Sequence, residues 1–443
     1  MTTLAEAGYL LKSVYLSNEQ IEQFAEDTIL FKLFKKENRW VKEVGAGQGT
    51  NTPTTYGMVW PIETGRNTRV GFFNPSSPNL LPPDGRTGTQ AYANLGAGHA
   101  SLLLDAILFE AAKNNDQVFE NVAERNMTTI FEDIQNCESR VMWGNGSGQI
   151  GVVAAVNVGT LTVTLDNTLS GRFLPVTKFC QANSILTILS STGAERSCDG
   201  IIVSSSNDVT GTITFSAAPN LGNVQVGDLI YTYQSWTAGA SAGIEPYGLN
   251  YYFGNNSTAA GVNPSTYSKW TPAALITNNT DPSEAIIEQM RAYISVYGGK
   301  ADVAITHPLV ISKGAIGLLQ YKRIQSTDIP GGAKSFDDAN KLEGPELGWG
   351  VKVLPDSNTP LGAGANTAWF WMGNSKAVFL GEAGPIHWMD EDGQILKPIV
   401  GSASVSSPSM AQYVAYLLHF WQMGCYRRRS GAMGTSFNML VAA

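Results

Sequence analysis

A glycine-rich loop can bind phosphate when it lies between a strand and the first turn of a helix, where backbone N–H groups converge on the anion. Two stretches have the composition, GAGQGT at 45–50 and GNGSGQ at 144–149. The second runs in the opposite order, from helix-like sequence into β-patterned sequence, and lacks the Lys-Ser/Thr of a P-loop; it reads as a helix end and linker. Four histidines, His99, His307, His387 and His419, stand far apart with no HExxH or HxH, and His307, just before Pro308, reads as a structural or capping residue. GxSxG is absent, which removes the usual signature of acyl transfer: GNGSGQ displaces the serine, and GNSKA at 373–377 lacks the last glycine. The acidic run MDEDGQ, 389–394, misses the ligand spacing of a Ca²⁺ loop and reads as a solvated hairpin turn. The cysteines, Cys137, Cys180, Cys198 and Cys425, form no CxxC and read as reduced and mostly buried, with a Cys180 to Cys198 bridge left open. No catalytic residue, cofactor or metal ligand is expected.

Charge narrows the classes further. Of 443 residues only 15% are charged, against a usual ~25%, and the net charge is −8. A surface so poor in charge suggests that neighbours cover much of it. Nucleic-acid readers usually carry a basic stripe, and none interleaved with aromatics is present. Residues 105–140 instead hold eight acids against three bases, a local net of −5, whereas the last 24 residues hold Arg427, Arg428 and Arg429 and no acid. On a strand these arginines would alternate faces, and they read as partners for a neighbour's acids. No signal peptide and no apolar run of ~20 residues is seen, so a soluble, cytoplasmically made protein is expected.

The elements that must position these residues follow from periodicity. Ser17 with Gln20 makes a capping box before an apolar stripe, predicting a helix over 18–36. Residues 44–100, dense in Gly, Pro, Asn and Thr, are too long for a structureless loop and predict a hairpin with strands near 56–63 and 68–73 around TGRNT. A short apolar helix is expected at 101–112, then a long one at 116–142, ~40 Å at 1.5 Å per residue, with Val118, Val122, Met127, Ile130, Ile134, Cys137 and Val141 inward and acids outward. After GNGSG the period becomes that of strands: VVAAV, TLTVTL, SILTILS, GIIVSS, GTITFS and GDLIYTY predict a small all-β barrel or sandwich over 150–236. Beyond SWTAGASAG come a helix from Pro282 to Tyr297 with Asp281 as N-cap, the strand ADVAITH, a helix near 308–321, GVKVLP, and the strand-rich end TAWFWMG, AVFLGE, HWMDED and YVAYLLHFWQMGCYRRR.

This order, with WGNGSG after the long helix, EPYGL at 245–249, SEAIIEQMRAYI with GGKADVAITHP, and GWGVKVLPD followed by WFWMGN, resembles the tailed-bacteriophage major capsid protein family, the Hong Kong 97-type fold. The resemblance spans nearly the whole chain except 150–236 and rests on order and spacing of soft motifs. It implies an α+β fold: an N-terminal arm at 1–43, an extended loop at 44–100, a peripheral domain with a spine helix at 101–147, an inserted all-β domain at 148–239, an axial α/β domain at 240–385 and returning strands at 386–443. Gly144, Gly146 and Gly148 would form the hinge into the insertion.

The implied function is a virion shell subunit, no enzyme, assembled in the host cytoplasm as hexamers and pentamers around double-stranded DNA bound non-specifically. The chain starts directly with its arm, so a separate scaffold protein is expected, together with a portal and a decoration protein as further partners; no membrane is involved. Residues 43–112 contain no lysine, so covalent cross-linking from this loop is not expected and non-covalent contacts must hold the shell. Candidate contacts are Trp60, Phe72 and Phe73 on the protruding hairpin, since aromatics suit interface cores, Glu63, Arg66, Arg69 and Arg86 beside them, Glu120, Glu124, Glu132 and Asp133 on the spine, and Arg427, Arg428 and Arg429. The alternatives are an encapsulin-like nanocompartment shell and, from a different class, a carbohydrate-binding or tail-fibre protein.

Overall fold

A computed structural model describes residues 29–37, 40–44, 55–65, 87–105, 130–131, 133–134, 137–166, 179–207, 210–217, 220–233, 245–277, 280–314, 346–347, 351–362, 366–390, 397–398 and 412–439. Among the described residues strands predominate and helices are few: two six-stranded sheets, a three-stranded sheet and a closed six-stranded barrel. The first sheet is organised by the fourteen-residue strand Gln412–Cys425. Its period-two alternation turns Ala415, Leu417, His419, Trp421, Met423 and Cys425 inward, and all six are buried. Gly96–Asp105 pairs along one edge, from Gln412 with Asp105 to Trp421 with Gly96, and Val378–Glu382, His387–Trp388 and Lys397–Pro398 pair with the same strand.

Two expectations fail around this strand. Residues 101–105 belong to a strand, where a helix over 101–112 was expected; LLLD has no helical period of its own, and a long partner with unsatisfied backbone groups decides its state. The helix expected over 18–36 ends at Leu33, and Lys35–Glu37 runs parallel to Phe379, Leu380 and Gly381, with Lys36 Nζ 2.8 Å from Glu382. Residues 18–28 lie outside the described residues.

The three-stranded sheet sets Thr55–Gly65 between Trp40–Val44 and Thr87–Asn94. The first strand of the expected hairpin is therefore present, but its return partner over 57–65 is 87–94, and the expected strand at 68–73 lies outside the described residues. The second large sheet is mixed: Val303–Thr306 is parallel to Val351–Pro355 and antiparallel to Thr367–Gly373, which pairs with Gly431–Asn438. The helix Glu284–Val296 covers it with Ile287, Met290 and Ile294, spaced i, i+3, i+7, in one cluster with Ala304, Phe370, Met372 and Phe437. Its N-cap is Ser283, with no side-chain hydrogen bond; Asp281, expected in that role, accepts from Asn438 Nδ2 at 2.9 Å. The helix near 308–321 is described from 308 to 314, and His307 Nδ1 accepts from Leu309 N at 3.2 Å, the capping role its position suggested.

The barrel runs through Thr212–Phe215, Thr162–Leu165, Gln149–Asn157, Leu229–Thr232, Ile185–Leu189 and Glu195–Asn207, which returns to the first strand. TVTL and TITF show the alternating burial that a single inward face demands. Closure leaves no edge to recruit another chain. Cys180 and Cys198 lie in its core as free thiols, and burial pushes the Cys180 thiol up to about 12.

Candidate assembly surfaces and the junctions behind them

The expected hinge region combines opposed requirements. Helical residues 137–143 end at Trp143, whose Nε1 donates to the buried Asp356 at 2.8 Å. Gly146 and Gly148 then take φ of +85° and +76°, the left-handed region that glycine enters at little cost. A side chain at Gly146 would also meet the Tyr247 ring at 2.7 Å and the Glu245 carbonyl at 3.1 Å. One at Gly248 would run into the carbonyl oxygens of Val141 and Met142. EPYGL therefore lies directly against the end of the helix, although residues 149–244 intervene in sequence. Gly144, grouped with these two as a hinge, has no positive φ, and its N–H closes the last helical turn on Val141 O at 2.9 Å.

Glu245 ties both ends of the barrel to the helix. Its Oε1 accepts from Arg140 Nη2 at 2.5 Å and from Thr232 Oγ1 at 2.9 Å, while Thr232 N donates to Gly148 O at 3.2 Å. Burial alone would lower the Arg140 guanidinium, but Glu245 and Cys137 hold it above its ordinary value, as an ion pair.

The acidic side of the helix is not wholly outward. Glu138, counted among the surface acids of 105–140, is 3% exposed; its Oε1 lies 2.7 Å from His419 Nδ1 and accepts from Trp421 Nε1 at 3.1 Å. The signal was present: His419 occupies an inward position in the alternation of the long strand, so a buried polar partner was required.

Trp60 is corrected from contact candidate to core. It is 0% exposed, donates Nε1 to Cys425 O at 2.9 Å and meets Phe379 edge-to-face at 5.6 Å, so the base of the excursion is anchored within its own chain. Glu63 and Asp133 are exposed. Arg66, Arg69, Phe72, Phe73, Arg86, Glu120, Glu124 and Glu132 lie outside the described residues.

The three arginines occupy the turn between Gln412–Cys425 and Gly431–Asn438, not a strand, and have three different surroundings. Arg428 is 0% exposed and donates to the carbonyl oxygens of Tyr252, Asn255, Ser257 and Trp270, so it organises the loop over 252–270 and is unavailable to a neighbour. Burial lowers its guanidinium to about 10. Arg427 is exposed and donates to Tyr297 O at 2.8 Å and Gly298 O at 3.2 Å. Arg429 is half-buried, donates to Ser268 O at 2.7 Å and stacks 4.2 Å over the Tyr297 ring.

No protein-family model and no curated protein matches the sequence. Among solved structures, the chain is similar to the capsid asymmetric unit of cyanophage A-1(L), at TM-score 0.48 and 9% identity over 93% of each chain. It is similar to the encapsulin of the holo-SrpI complex from Synechococcus elongatus PCC 7942, at TM-score 0.42 and 8% identity over 98% of this chain and 97% of that one. It is also similar to the capsid of cyanophage P-SCSP1u, at TM-score 0.42 and 8% identity over 93% and 88%. Phage capsid proteins are the family that the sequence resembles.

Among the described residues, no group of three or more His, Cys, Asp or Glu is gathered as a metal site, and no helix is long and apolar enough to cross a membrane. What the arrangement offers is surface. Large apolar residues are exposed on the barrel, where Ile185 and Ile202 pair across strands beside Tyr233, and at the end of the helix Glu284–Val296, where Tyr293, Val296 and Tyr297 stand out.

Proposed function

We propose that the protein is the major capsid protein of a tailed double-stranded DNA phage, assembling into hexamers and pentamers of an icosahedral shell. The single observation that carries this reading is the seating of EPYGL on the end of the helix. The helix-to-EPYGL joint closes as though nothing intervened, which is the chain path the resemblance implies, and the barrel is carried outside that path as a guest. In this reading a separate scaffold protein and a portal assist assembly, and DNA is enclosed without being read. A decoration protein is a further partner in this reading, and the mature subunit resides in the virion after assembly in the host cytoplasm. The shell is held non-covalently, consistent with the lysine-free stretch 43–112.

The test is to express the chain alone and with a candidate scaffold, then to examine the products by sedimentation and negative-stain microscopy. Closed particles support a shell, and nucleic acid inside them, rather than an enzyme cargo, selects a capsid over an encapsulin-like compartment. A monomer that binds glycans in an array overturns the shell. Deleting 149–239 and so joining Gly148 to Ala240 leaves the remaining fold intact if the barrel is a guest, and collapses it otherwise.

A further inference from the structure

Among the described residues, Arg140, Arg196 and Arg291 each meet a carboxylate and Arg428 is enclosed by carbonyls. Arg427 and Arg429 are different: they meet carbonyl oxygens and one aromatic face, and both lie at one place on the surface. Two exposed lysines follow the residues whose carbonyls these arginines bind, Lys269 directly after Ser268 and Lys300 two residues after Gly298. Nearby acids are turned elsewhere. Asp302 accepts from Ser375 N and Oγ at 2.8 and 2.6 Å, and Glu288 is held by Arg291 at 2.9 Å. The Tyr297 ring stands against Arg429, and Tyr293 and Val296, at the same end of the helix, are exposed, Val296 to 76%.

We infer that this basic and aromatic face, centred on Arg427, Arg429, Tyr297 and Val296, docks onto an acidic surface of a second copy of the chain. The inference rests on the shell reading and names one of its contacts. Three physical points select this occupant. Backbone carbonyls fix both guanidiniums, so little side-chain entropy is lost when a carboxylate arrives, in contrast to a free surface lysine. Tyrosine and arginine around a small apolar centre are the composition of the energetic core of protein interfaces, and a phosphate backbone would leave Val296 and the tyrosine faces wet. The chain also supplies the complement: it is net −8, and of the eight acids in 105–140 Glu138 is buried against His419 and Trp421 whereas Asp133 is exposed.

The test compares the full chain with Arg427→Glu/Arg429→Glu and, separately, with Val296→Ser, whose exposed side chain contributes little to folding. Circular dichroism checks the fold, and sedimentation velocity follows self-association against protein concentration at low and raised salt. The expected result is salt-weakened association of the parent, about tenfold or more weaker in the charge-reversed variant, and a several-fold loss in Val296→Ser. Parent-like association of Val296→Ser, or of a folded charge-reversed variant, overturns this contact even if closed particles form. A parent that stays monomeric at every concentration overturns both the contact and the shell. Salt-sensitive binding of duplex DNA by the parent, lost in the charge-reversed variant while self-association is unchanged, reassigns the face to nucleic acid and overturns the proposal.

Discussion

The barrel and the frame around it solve the same burial problem with opposite economies of chain. Every buried side chain of the barrel cluster falls between Val153 and Ile230, each strand pair is antiparallel, and the sheet closes on itself. The frame cluster reaches from Leu30 to Met433, and its central strand Gln412–Cys425 takes its long partner from Gly96–Asp105, more than 300 residues earlier. Short loops close at low entropic cost, whereas distant strands must be brought together before they pair. Alternation written locally is therefore enough to specify the barrel, while the frame depends on contacts that no local window contains.

The largest effect that would break this contrast is in the frame. Arg428→Ala removes the donors of four carbonyl oxygens and is expected to lower frame stability by about 3–5 kcal/mol while leaving the barrel unchanged. Tryptophan fluorescence during denaturation separates the two, because none of the ten tryptophans lies within 149–232. A matching change in the barrel, Ile213→Ala at a fully enclosed position, should cost about 2–4 kcal/mol in the barrel's own calorimetric transition and leave the fluorescence transition in place. A shift of both transitions together would mean that the barrel is not autonomous.

Alkaline pH sharpens the comparison at smaller magnitude. Cys180 in the barrel and Cys425 in the frame are each raised by burial from 9.0 to about 12. Above pH 9 the unfolded chain loses a thiol proton that the folded chain retains, so each thiol removes about 1.4 kcal/mol of stability per pH unit up to about 12. Arg428 acts in the opposite sense above pH 10, because burial lowers its guanidinium to about 10 while the unfolded chain holds that proton to higher pH. Cys180→Ala should flatten the barrel's decline between pH 9 and 12, measured by calorimetry across pH, without altering that of the frame. The smallest effect is expected at Ser283→Ala. An N-cap serine commonly contributes about 1 kcal/mol, but Ser283 makes no side-chain cap bond, so the change should stay within about 0.5 kcal/mol in denaturant titration.

Legibility in the sequence divides along the same line. TVTL and TITF declare one inward face each, and the structure buries that face. The helix Glu284–Val296 and the strands Val303–Thr306 and Val351–Pro355 were equally plain, because a single apolar stripe or run marks them. Residues 101–105 were not, since LLLD fits helix or strand until a partner claims its backbone. At the candidate contacts, residue type suggested arginine and tryptophan, but type cannot distinguish an arginine that waits for a neighbour from one already enclosed. Arg427 and Arg428 are adjacent in sequence, and the turn places one outside and the other beneath Trp270.

The sequence by itself determined the alternation that makes the barrel, the glycines that free the chain on either side of it, and a charge distribution that sets an acidic stretch against a basic end. Only the tertiary structure decided that EPYGL returns to the helix it left at Gly144, that Trp60 and Arg428 turn inward, and that Tyr297, Arg427 and Arg429 share one face. The physical reason is range: side-chain periodicity and backbone conformation are fixed by neighbours a few residues away, whereas burial and charge pairing are fixed by whichever distant segment fills the space opposite.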